Sequence, residues 1–111
     1  MPPREWRLRI EDILDAIAKI ERYVQDLTFD QFQADEKTID AVVRNLEVIG
    51  EAVRHLMASS EELPEAIPWA DVAGMRNILV HEYFGVDLLI VWQTITKDLP
   101  LLRMELRRFN R

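Results

Sequence analysis

Apolar residues recur at three- and four-residue spacing along most of this chain, the period of helices with one buried face. Residues 4–27 carry the stripe Ile10, Ile13, Leu14, Ile17, Ile20, Val24 and Leu27, which predicts a long amphipathic helix. Arg9, Glu11, Asp12, Asp15, Lys19 and Arg22 cover its far side. Thr28-Phe29-Asp30-Gln31 has the form of a capping box and predicts a short helical turn. A second long helix is predicted over about residues 35–57, with Ile39, Val42, Val43, Leu46, Ile49, Gly50, Val53 and Leu56 on one face. Glycine inside such a helix costs about 1 kcal/mol against alanine, and a close helix crossing would offset it.

Residues 59–68 read as a loop, with paired serines and two prolines. A third helix is predicted over residues 69–83. Val86-Asp87 opens a fourth, with Asp87 as its cap and Leu88, Leu89, Trp92, Ile95 and Leu99 packing inward. Pro100 suits the first turn of a final short helix ending near Phe109. No stretch alternates with period two, so no strands are expected. The predicted fold is all-α, a bundle of four main helices with a short C-terminal helix, forming one domain over residues 1–111.

Composition narrows the possible functions. The 111 residues include no cysteine, which removes disulfides and thiolate metal sites from consideration. No apolar run is long enough to span a membrane and no signal-peptide core opens the chain, so a cytoplasmic protein is expected. The net charge of −6 is unevenly spread: residues 1–9 carry +2, residues 97–111 carry +3 and the body between carries −11. An acidic body argues against broad nucleic-acid binding and suits a protein partner with a basic face. Any RNA contact should then be local, at the two basic termini.

The polar chemistry concentrates in residues 74–85, Gly74-Met75-Arg76-Asn77-Ile78-Leu79-Val80-His81-Glu82-Tyr83-Phe84-Gly85. Two of the three glycines bracket it, and it holds one of the two histidines. On a helix, Met75, Ile78 and Leu79 share a core side while Asn77 and His81 stack on another. Arg76 and His81 are offset by roughly 140° and 7.5 Å along the axis. Two copies facing across a symmetry axis would bring these groups onto one phosphate more easily than one copy, a geometric pointer to a dimer. Histidine titrates near neutrality and can move a proton at a ribose hydroxyl or leaving oxygen. Arginine presents a fork of donors to phosphate oxygens. Asn77 could orient either group. As an isolated pair, a hydrogen-bonded histidine and a surface arginine is the plainer reading, since short motifs match by accident.

Glu47, Glu51 and His55 are spaced by four, with Arg44 and Arg54 nearby. Intrahelical ion pairs account for this row better than a metal site, for which a second such row is missing. Glu51 could approach Arg76 from a neighbouring helix. Trp6, Trp69 and Trp92 could stack on bases but suit core or interface positions in a small bundle.

The segment Arg76-Asn77-Ile78-Leu79-Val80-His81-Glu82-Tyr83 has the form Arg-x4-His-x-Tyr, with a polar residue after the arginine. It resembles the HEPN superfamily, and within it the HepT-like ribonuclease toxins that pair with minimal nucleotidyltransferase antitoxins. Arg44-Asn45-Leu46-Glu47-Val48-Ile49-Gly50-Glu51-Ala52, Ile67-Pro68-Trp69, Gly74-Met75, Val86-Asp87, Trp92 and Leu99-Pro100 agree with it in order. The resemblance implies a HEPN helical bundle that forms a homodimer with two motifs facing one cleft. It implies that Arg76 and His81 are the catalytic pair of an endoribonuclease that needs no metal or cofactor, with Asn77 supporting them. It also implies that Tyr83 accepts AMP from the cognate nucleotidyltransferase, which silences the toxin. Some HEPN domains are instead helical substrate-binding partners of nucleotidyltransferases that cleave nothing, and this is the alternative reading.

Overall fold

The computed structural model describes residues 4–59 and 87–109, and every described element is helical. Helix α1 spans Arg4–Val24, α2 Phe29–Ala34 and α3 Glu36–Ser59. Helix α4 covers Leu88–Gln93, followed without a break by a π-helical segment, Thr94–Asp98, and then by α5, Leu99–Phe109. The predicted third helix, residues 69–83, and the predicted loop before it lie outside the described residues.

The long helices follow their apolar stripes. In α1, Ile10, Ile13, Ile17 and Ile20 are fully buried, and Ala16 joins them. In α3, Val42, Val43, Leu46, Ile49, Ala52, Val53 and Leu56 are buried on the facing side. These two helices form the main packing layer. Gly50 is buried on this same face of α3, where a missing side chain permits close approach. The first helix ends at Val24, three residues earlier than its stripe suggests. Asp26 takes a left-handed conformation, with φ 64°, and Leu27 N–H donates to Val24 O at 3.0 Å. An aspartate tolerates that conformation better than most residues and closes the helix where glycine would be usual.

Helix α2 begins with the predicted capping box. Thr28 N–H donates to Gln31 Oε1 at 2.9 Å, and Gln31 N–H donates to Thr28 Oγ1 at 3.2 Å. The short helix delivers Phe32 into the core, where it is fully buried. Asp35 then caps α3: its carboxylate accepts from Thr38 N–H at 3.1 Å and from Thr38 Oγ1 at 2.6 Å. These bonds, the side-chain one foremost, favour the charged form and hold the Asp35 carboxyl below its ordinary 3.8. A group with a depressed folded value stabilises the fold above its unfolded value and loses that contribution as pH falls through the folded one. Asp35→Ala should therefore lower the melting temperature at neutral pH. That difference should shrink once the pH drops below about 4, where the unfolded carboxyl begins to protonate. Melts of both chains from pH 7 to pH 3 check this.

As expected, Pro100 sits in the first turn of the final short helix, α5, which ends at Phe109; the π-helical segment before it joins that helix to α4 without a break. Proline lacks an N–H, and its ring crowds the carbonyl four residues earlier. The chain accommodates this by widening the preceding turn, so that Leu99 N–H donates back five residues to Thr94 O. Thr94 Oγ1 donates to Ile90 O at 3.0 Å and Thr96 Oγ1 to Trp92 O at 2.9 Å, adding side-chain partners for carbonyls in this stretch. The wider turn also sets the buried stripe. Val91, Ile95 and Leu99 are spaced by four twice, which would drift around an ideal α-helix but stays in phase here. Leu89, predicted to pack inward, is 47% exposed, and Val91 is buried instead.

Aromatic rings join the layers. Trp92 lies 5.2 Å from Phe32 and 6.2 Å from Phe29, centroid to centroid, pinning α4 to α2. Trp6 stacks on Phe109, with centroids 6.3 Å apart, and ties the start of α1 to the end of α5. Both tryptophans thus join helices, Trp6 while staying partly exposed; Trp69 lies outside the described residues. An ion pair between Glu21 and Arg103 adds a polar link between α1 and α5, worth about 1 kcal/mol or less at this partly exposed site.

Candidate functional site

Arg76, Asn77, His81 and Tyr83 all fall in residues 60–86, outside the described residues. The structure establishes their frame. Helix α3 leads into that segment and is packed along most of its length. After the segment, Asp87 caps α4 as predicted, its carboxylate accepting from Leu89 N–H at 2.9 Å. In sequence the motif lies between two elements that are themselves anchored in the core, α3 through Val53 and Leu56 and α4 through Val91.

A polar groove of ≈ 230 Å³ lies between α1 and α3, lined by Arg9, Asp12, Arg44, Glu47, Val48, Glu51 and Ala52. It contains much of the α3 segment that carried the family resemblance. Arg44 pairs with Glu47 at 3.7 Å and Arg54 with Glu51 at 3.7 Å. His55 Nε2 lies 3.4 Å from the other Glu51 oxygen. The row Glu47, Glu51, His55 is thus an ion-paired helix face, in line with the plainer of its two readings. Exposed pairs of this kind contribute about 0–1 kcal/mol each. Among the described residues, no group of three or more acidic or histidine side chains could hold a metal ion.

The sequence pattern had placed Arg9 and Asp12 on the solvent side of α1, yet both line this groove. Arg9 lies four residues before Ile13 and seven before Ala16, both buried, so its azimuth borders the core stripe. That spacing was the available signal. Asn45, on the neighbouring face of α3, turns its amide to its own helix, donating to Ala41 O at 2.9 Å.

A helical layer of this kind, with an Arg-x4-His-x-Tyr segment between its third and fourth described helices, has the layout of the HEPN class. The family model "Ribonuclease HepT-like" matches residues 13–109, and the chain belongs to that family. It is 39% identical over 102 residues to a protein of Thermococcus cleftensis named "Probable ribonuclease HepT", covering 92% of this chain and 93% of that one. It is 40% identical over 98 residues to "Putative RNase TTE0752" of Caldanaerobacter subterraneus, covering 88% of each. No solved structure matches the chain at a significant level. Among the described residues, no helix is long and apolar enough to cross a membrane.

Proposed function

We propose that this chain is the toxin of a toxin–antitoxin pair, an endoribonuclease that works without a metal ion. The observation that carries the reading is its membership of the HepT-like family together with an uninterrupted Arg76, Asn77, His81, Tyr83 motif. The chain acts as a homodimer in which two motifs share one cleft. His81 exchanges a proton with the ribose 2′-hydroxyl or the leaving 5′-oxygen. Arg76 stabilises the charge that develops on the phosphate, and Asn77 orients the pair. The adjacent 2′-hydroxyl attacks phosphorus and the 5′-oxygen leaves, giving a 2′,3′-cyclic phosphate and a 5′-hydroxyl.

Tyr83, two residues after His81, is the proposed control point. A cognate minimal nucleotidyltransferase would pass AMP from ATP to the tyrosine hydroxyl, releasing pyrophosphate. The new phosphodiester would lie in the same short segment as Arg76 and compete with substrate phosphate. Co-expression with the neighbouring nucleotidyltransferase, followed by intact-mass measurement, tests this. The wild type should gain one or more AMP units and lose cleavage in parallel, whereas Tyr83→Phe should gain none and stay active. A Tyr83→Phe chain that is modified and silenced as fully as the wild type removes Tyr83 from that role.

A further inference from the structure

The two ends of this chain each carry net positive charge, and the structure brings those ends together. Trp6 of α1 and Phe109 of α5 stack with an interplanar angle of 26°. Arg4 and Arg7 at the start of α1 thereby come to the same end of the molecule as Arg107 and Arg108 in the last turn of α5. Arg4, Arg107 and Arg108 are exposed, and Trp6 and Phe109 are each partly exposed. Two carboxylates interrupt the cluster, Glu5 and Glu105. The second lies 3.4 Å from Arg108 but leaves that side chain 68% exposed.

Stability alone does not call for this arrangement. Arg107 and Arg108 complement the dipole at a helix C-terminus, but Arg4 and Arg7 stand at the N-terminus of α1, where a cation opposes it. Arg7 Nε is moreover buried with no acceptor among the described residues. Guanidinium groups at the same end of the molecule as a partly exposed aromatic pair make a surface that suits a nucleic-acid strand, the charges meeting phosphates and the rings meeting bases. The body of the chain, residues 10–96, carries −11 and repels such a polymer, so this end is where it can be held.

We propose that the joined ends of α1 and α5 form a docking surface for single-stranded RNA. Arg4, Arg107 and Arg108 contact the backbone, and the Trp6–Phe109 pair offers the stacking face. The identity of the polymer rests on the ribonuclease reading above. An acidic protein segment would meet the same charges, but it would leave the aromatic pair at this end unused.

The test measures binding apart from cleavage, in the His81→Ala chain. The probe is a fluorescein-labelled single-stranded RNA about 20 nucleotides long. Fluorescence anisotropy is followed from about 50 to 200 mM salt. R4E/R107E/R108E should weaken binding at least roughly tenfold and lower the salt slope by about 2, the value for three lost contacts to a single strand. K19E/R22E/K37E reverses three charges on exposed positions of α1 and α3 and should change binding by less than about threefold. Circular dichroism melts check that each chain folds, and R4Q/R107Q/R108Q replaces the first variant if it does not. Equal losses in both triple variants, or unchanged RNA binding in the first, would overturn the surface. So would a first variant that keeps RNA but loses a polyglutamate probe, which would assign the surface to an acidic protein. Wild-type chain that cuts no RNA, alongside the binding pattern expected here, removes the ribonuclease reading and leaves the surface standing.

Discussion

His81→Ala should lower the rate of RNA cleavage by on the order of a hundredfold or more, and Arg76→Ala should do the same independently. The two side chains have different tasks. A histidine near neutrality can take the 2′-hydroxyl proton as a base and return one to the leaving oxygen as an acid. An alanine there leaves only solvent to do so. In the proposed mechanism the guanidinium at Arg76 would act on charge that builds up as the phosphorus becomes five-coordinate, so its loss should fall on kcat more than on KM. Arg76→Lys keeps a charge but loses the fork and should recover only part of the rate. Single-turnover cleavage of a labelled RNA checks all three variants. Full activity in both alanine variants would leave the motif without a catalytic role.

Phe32→Ala should be the most damaging substitution among the described core positions, costing about 3–5 kcal/mol. Among the described residues, Phe32 is the largest side chain that is buried completely. It stands 5.2 Å from Trp92, so its removal opens a cavity where α2, α3 and α4 meet. Helix α2 is six residues long and cannot collapse into that space without giving up its capping box. Since domains of this size are stable by only about 5–15 kcal/mol, such a loss would remove a large share of the total. Urea unfolding at one fixed protein concentration, which the proposed homodimer would require, measures the difference. A loss below about 1 kcal/mol would mean that the site repacks.

The fold was readable wherever one buried stripe runs along one straight helix. Ile10, Ile13, Ile17 and Ile20 in α1 and Val42 through Leu56 in α3 lie where a period of 3.6 puts them. The capping side chains Thr28 and Asp87 were legible for a different reason: their bonds are local, within two or three residues. Reading failed where a backbone adjustment intervened. Pro100 was legible as a first-turn proline of the last helix, but the π-helical segment before it was not, and it leaves only a four–four spacing as its trace. Leu89 was assigned inward for want of that phase correction. Arg9 and Asp12 show a further limit, since a groove between two helices depends on how they cross and not on either pattern alone. The candidate catalytic residues were legible as chemistry, a histidine, an arginine and a tyrosine in an otherwise apolar stretch. Their roles came from the family resemblance, because spacing alone is shared by many helices with a satisfied histidine.

The ends that cleavage leaves test the proposed reaction most directly. Purified wild type should cut total RNA in the presence of EDTA, leaving 2′,3′-cyclic phosphates or their hydrolysis products together with 5′-hydroxyls, and His81→Ala should leave none above background. Cutting that appears only when magnesium is supplied, or that yields 3′-hydroxyl and 5′-phosphate ends, or that persists undiminished in His81→Ala, would contradict it.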